Sequence, residues 1–133
     1  MRSMLAAVAL LAAAPSATAQ SALPNTLPDP VGFAEGQRLS GTLQLNYSED
    51  GRNARRTAIF DNYRPKVAFN GREVVCMFDL ADVRSLAPGE SGPVTLECKE
   101  PVAVHRDATR LDVREGGKTV GHIDVQLPPP ADG

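Results

Sequence analysis

Arginines crowd one short stretch of this sequence. Arg52, Arg55 and Arg56 lie almost side by side, and Arg64 and Lys66 follow soon after. Cationic groups at this density can hold an anion such as a phosphate, a lipid headgroup or an acidic protein surface. The alternative is a solvated loop whose charges offset Glu49, Asp50 and Asp61, and the polar surroundings favour it. His105 and His122 are the only histidines. A metal site would need both of them plus a carboxylate such as Asp107 or Asp124. The two lie on different segments without ligand spacing, so no metal and no cofactor are expected. Ser40, Ser48, Ser85 and Ser91 lack a nucleophile-elbow motif. Glu49 and Asp50 have nothing apolar beside them to raise a carboxyl pKa. No catalytic residue is assigned, and an enzyme is not expected. Tyr63 and Phe69 read as core or barrel-rim residues rather than as a base-stacking platform.

The two cysteines carry more structural information. Val74, Cys76, Phe78 and Leu80 share one parity, and Val94, Leu96 and Cys98 share another, so both thiols point toward the core side of their strands. A hairpin centred near Ala87 sets Cys76 opposite Cys98. A disulfide there closes a loop of roughly 20 residues, contributing about 3 kcal/mol in the chain-entropy model. Separate buried thiols, or an exchangeable redox pair without a Cys-x-x-Cys spacing, are the alternatives.

A disulfide needs an oxidising compartment, and the N-terminus supplies a route to one. Arg2, the apolar run Met4 to Ala14 and the Ala17-Thr18-Ala19 cleavage form read as a signal peptide. That run is too short for a transmembrane helix, and no later segment reaches about 20 apolar residues. Cleavage after Ala19, with no cysteine there to take a lipid, predicts a soluble periplasmic or secreted chain. Without Arg2, 13 basic residues face 16 acidic ones, a net charge of −3. This balance argues against a dedicated nucleic-acid binder, which would be strongly basic.

The elements that must position these residues are strands. Leu39, Gly41, Leu43, Leu45 and Tyr47 alternate with polar residues, a half-buried pattern. Further strands are expected around Ala58 to Phe60, Tyr63 to Asn70, Val74 to Leu80 and Val94 to Lys99, with Val102 and Val104 continuing the pattern after Pro101. Leu111 to Val113 and Thr119 to Leu127 form the last hairpin. Its turn is Gly116-Gly117, since a type I′ turn needs positive φ at both central residues. That turn sets Glu115 against Lys118, Arg114 against Thr119 and Val113 against Val120. Farther on, Ile123, Val125 and Leu127 have the opposite parity to Val120, which predicts a β-bulge at Gly121-His122. Asn46-Tyr47-Ser48 matches a glycosylation acceptor by chance, being mid-strand. No helical period appears. The expected organisation is a signal peptide (1–19), a Pro-rich linker or N-terminal arm (20–35), an all-β barrel domain (36–127) and a Pro-rich tail (128–133).

The segment Val113-Arg114-Glu115-Gly116-Gly117-Lys118-Thr119-Val120-Gly121 resembles one in the C-terminal β-barrel, the third domain, of bacterial elongation factor Tu. Asn62-Tyr63-Arg64-Pro65, Pro88-Gly89-Glu90 and Pro101-Val102-Ala103 resemble three further landmarks of that family, in the same order. The similarity runs from about Leu39 to Leu127. It implies a six-stranded antiparallel barrel. In the family this barrel packs against the other domains and helps contact the T-stem of aminoacyl-tRNA and the nucleotide-exchange partner. No Gly-x-x-x-x-Gly-Lys phosphate loop occurs in this sequence. The family's Gly-Ala-Gly run is here Gly121-His122-Ile123, and the loop His105 to Thr109 is one residue longer. The expectation is therefore a stand-alone exported binding or interaction module, non-enzymatic, with Cys76 and Cys98 bonded. The sequence does not identify its ligand. A protein or envelope component is favoured over a small molecule, and Arg52, Arg55, Arg56, Arg64 and Lys66 are the candidate residues for binding an anion or partner. A residual RNA-binding translation-factor domain and an envelope enzyme with an unrecognised site are the rival readings.

Overall fold

The computed structural model describes residues 29–128. The expected signal peptide, the first part of the expected linker and the end of the tail lie outside the described residues. The strands are β1 (Val31–Phe33), β2 (Arg38–Leu45), β3 (Lys66–Phe69), β4 (Arg72–Leu80), β5 (Ser91–Cys98), β6 (Val102–Val104), β7 (Arg110–Glu115) and β8 (Lys118–Gln126). Six of them close into a barrel in the order β2-β5-β4-β3-β7-β8, with β8 pairing back onto β2. All the pairings are antiparallel.

Alternation explains the burial. Leu39, Leu43 and Leu45 of β2, Val74, Cys76 and Phe78 of β4, and Val94, Leu96 and Cys98 of β5 all face the interior. Full burial of each such aliphatic or aromatic side chain is worth about 1.5–3 kcal/mol relative to leaving it exposed. Cys76 stands directly opposite Cys98, and their sulfurs are bonded. Lys99 donates its backbone N–H to Val75, so the cysteines occupy the adjacent non-hydrogen-bonded position, where paired strands come closest.

Several local features differ from the sequence expectation. β2 ends at Leu45, so Asn46-Tyr47-Ser48 lies beyond it and Tyr47 is exposed, and the strand expected from Tyr63 to Asn70 begins at Lys66. Val31–Phe33, inside the span read as linker or arm, is a strand pairing with Val102–Val104. A three-residue strand is too short to show alternation, and the prolines before it hide the signal. The strand expected around Ala58 to Phe60 contracts to a single bridge between Ile59 and Leu86. The bulge comes one residue early: Arg114 faces Thr119, but Val113 faces Gly121, leaving Val120 as the extra residue. The Gly116-Gly117 turn itself has φ of 56° and 84°, as the type I′ geometry requires.

The early bulge follows from barrel closure. A Cβ on Gly121 would lie 2.4 Å from the Gln44 carbonyl oxygen, and one on Gly41 would lie 2.4 Å from that of Asp124. Both clashes are with backbone, which cannot step aside as a flexible side chain would. Glycines on each side of the β2–β8 seam thus let the two backbones meet. Substituting either by alanine overpacks the seam and should cost about 1–3 kcal/mol, read as a lower urea midpoint with near-native secondary structure at low denaturant. Reducing the disulfide, which spans 22 positions, should cost about 3 kcal/mol, measured by urea unfolding with and without reductant.

Candidate functional site

The loops following β2 and β4 and the β7–β8 turn all lie at one pole of the barrel, because antiparallel pairing returns these strand ends to the same side. The loop after β2 carries Arg52, Arg55 and Arg56. It is held by its own backbone and by the hairpin. Asp50 accepts hydrogen bonds from the Ser48 hydroxyl at 2.6 Å and the Arg52 N–H at 2.9 Å. Those bonds to the charged form hold its carboxyl below the usual range. Lys118 donates from Nζ to the Ala54 carbonyl at 2.9 Å, and the Asn46 amide donates to the Asn53 carbonyl at 2.8 Å. The Asn46 side chain of the glycosylation-like triplet is therefore committed to the fold.

Glu115, the last residue of β7, joins this loop to the barrel wall. One carboxylate oxygen accepts from both the Arg55 guanidinium and the Tyr63 hydroxyl. The Arg55 guanidinium also lies 5.1 Å from the centre of the Tyr63 ring, which in turn packs against Phe78. Burial pushes the Tyr63 phenol pKa well above its ordinary value, reinforced by its hydrogen bond to Glu115 and the charge of that carboxylate. Tyr63 is thus a neutral donor, unsuited to act as a base near neutrality. The trio fastens a loop and offers no acid–base pair poised for catalysis.

Of the five cationic residues singled out in the sequence, Arg55 and Arg56 line one groove and Arg64 and Lys66 another, while Glu115 lines the second groove and binds Arg55. Arg55 is engaged by Glu115, with only about a fifth of its side chain exposed. Arg52 is almost fully exposed beside Asp50, and Arg56 lies over Gly51, its Nη2 3.5 Å from the Asp50 carbonyl. Arg64 and Lys66 stand on the outer wall leading into and along β3. There they line a groove of about 320 Å³ together with Pro65, Glu73, Val75, Arg114, Glu115 and the Gly116-Gly117 turn. Arg114 was missed by the sequence reading although it belongs to the most recognisable motif. It reaches Lys66 only through the pairing of β7 with β3, which no local sequence signal reveals. Arg114 is itself bound to Glu73 at 2.7 Å and to the Gly117 carbonyl at 2.9 Å.

The histidines are not brought together. His105 lies 3.5 Å from Asp29 near the other pole, whereas His122 sits on β8 between Gln44 and Asp112. Phe69 is buried in the core and Tyr63 is half-buried at its edge. Among the described residues no helix is long and apolar enough to cross a membrane.

These features define a small closed antiparallel β-barrel with charged loops gathered at one pole. The chain belongs to the elongation factor Tu C-terminal domain family, whose model matches residues 38–126. The six-stranded barrel implied by the family landmarks is the architecture observed. At the position of the family's glycine-rich run, the close backbone approach is internal. Gly121 makes room for the carbonyl of Gln44 in β2.

The buried phenol has a consequence for stability in alkali. In the unfolded chain a tyrosine loses its proton near pH 10, while the folded state keeps Tyr63 protonated. Stability from this group is intact below about pH 10 and declines as pH rises beyond it, because the unfolded chain then binds fewer protons. Tyr63→Phe should remove that part of the alkaline slope. It should also cost about 1.5–3 kcal/mol near neutrality, by deleting a hydrogen bond to a charged group. Urea unfolding of both proteins between pH 7 and about pH 11 measures the two effects.

Proposed function

We propose that this chain is an exported, non-enzymatic interaction module that uses its barrel as a rigid scaffold for binding an anionic partner. One observation carries the reading. The groups best suited to chemistry, Tyr63, Glu115 and Arg55, bind one another, while Arg64 and Lys66 stand exposed on the wall. None of the ion pairs among the described residues includes either of these two cations. Export is supported by the signal-like N-terminus together with the Cys76–Cys98 bond, a linkage that persists in oxidising compartments. An expected partner of protein or envelope origin follows from that location. The family relationship supplies the barrel, and folds of one family serve different ligands through the residues mounted on them.

Fractionation of cells expressing the native sequence tests the reading. The expected result is a chain beginning at Gln20 outside the cytoplasm, with Cys76 and Cys98 resistant to alkylation until reductant is added. A cytoplasmic chain retaining residues 1–19 and carrying two alkylatable thiols would exclude it.

A further inference from the structure

The outer wall formed by β3, β4 and β5 carries a charge arrangement that the fold does not use. Lys66 is paired across the strands with Arg114 on one side and Val75 on the other. Val75 accepts the backbone N–H of Lys99 at 3.0 Å, beside the Cys76–Cys98 pair. One row across the wall therefore reads Arg114, Lys66, Val75, Lys99. The neighbouring row starts with Arg64, whose guanidinium donates to the Met77 sulfur at 3.8 Å. It continues through Met77, Glu97 and Arg38.

Strands stand about 4.8 Å apart, so Lys66 and Lys99 rise from backbones about 10 Å apart, with Arg64 close by. Like charges facing one another across a sheet are unfavourable. Arg114 and Arg38 are neutralised by Glu73 at 2.7 Å and Glu97 at 2.8 Å. Arg64, Lys66 and Lys99 form no ion pair among the described residues. The result is three uncompensated cations around a half-buried apolar floor of Val75 and Met77.

Two grooves flank Arg64. The one of about 320 Å³ has Glu73 and Glu115 in its lining, and one of about 220 Å³ on the other side has Glu35 and Glu97. Glu73, Glu97 and Glu115 are already paired with Arg114, Arg38 and Arg55. The uncompensated positive charge is therefore confined to Arg64, Lys66 and Lys99 around Val75 and Met77, too sparse to neutralise a dense polyanion such as RNA or polyphosphate. A ligand that alternates negative charge with apolar groups matches that spacing of cations and apolar floor. We infer that this wall is a docking surface for an acidic, partly apolar segment of another protein. Its carboxylates pair with Arg64, Lys66 and Lys99 while its apolar side chains cover Val75 and Met77. The inference rests on the interaction-module reading and names the partner's chemistry.

The test uses the oxidised chain from Gln20 and an end-blocked octapeptide alternating glutamate with valine and threonine, followed by amide NMR. The expected result is saturable binding that weakens with added salt and shifts the signals of Val75 and Met77. Arg64→Ala/Lys66→Ala/Lys99→Ala should weaken it by about tenfold or more, whereas Arg52→Ala/Arg56→Ala should leave it unchanged. Spectral dispersion and the thermal midpoint confirm that both variants fold. Absence of binding at millimolar peptide, binding indifferent to the triple substitution, or tighter binding of tripolyphosphate or an RNA oligonucleotide would overturn the proposal. Those outcomes leave the location and thiol state of the chain unaltered, so loss of this surface and loss of the export reading are separable.

Discussion

Everything in this barrel depends on the seam where its last strand meets its first. Closing a sheet on itself satisfies the backbone groups of every strand and leaves no edge to recruit another chain. Closure also forces the β2 and β8 backbones together over their whole shared length, from Ser40 opposite Gln126 to Leu45 opposite Gly121. Glycines on both sides of the seam make that approach sterically possible. The inserted Val120 then lets β8 keep apolar residues inward on both sides of the bulge. Val120, Ile123 and Val125 are all buried although they do not share a parity. Without the seam, the core of facing leucines, valines and Phe78 would have no continuous wall around it.

The same strands determine what their charged residues can do. Glu115 ends β7 beside the turn, near enough to take both Arg55 and Tyr63. A carboxylate with two charge-assisted or polar donors is well compensated even when partly buried. It also immobilises the loop after β2 against the hairpin, with Lys118 reinforcing the join from the other strand. Cations on the wall have a different fate. Outward positions two residues apart on one strand, and opposite positions on neighbouring strands, share a face. Basic residues widely separated in sequence therefore converge, while their nearest glutamates are taken by Arg114 and Arg38.

How much of this was legible in the residues follows from the range of each signal. Alternation is local, so the strands with clear parity were readable. Cys76 and Cys98 could be set opposite one another by counting back from a turn. The bulge was readable in kind because a change of parity demands an inserted residue. Its position was not, because Val113 pairs with whichever residue fits the seam, and that depends on Gln44 in a distant strand. The arginine loop was visible as composition, yet its division into an engaged Arg55 and a separate wall group depends on long-range pairing. Lys99 and Arg114 escaped notice for the same reason. Each lies far along the chain from Lys66 and reaches its neighbourhood only through the strand order β5-β4-β3-β7.

Arg106 gives the fold a mechanical character. Its backbone N–H donates to the Asp29 carboxylate at 2.9 Å, and its Nη1 donates to the Pro128 carbonyl at 3.1 Å. Both ends of the described span are thus gathered around one residue, at the pole away from the glycine turn. Beyond that clasp, β2 and β8 are hydrogen-bonded neighbours that start and finish on the same side. Tension drawn between the two ends would load their ladder one rung at a time, as a zipper opens, and not all rungs together in shear. Such tension would first meet the Arg106 clasp and the β1–β6 pairing, and the β2–β8 ladder would then open from the rung of Ser40 and Gln126.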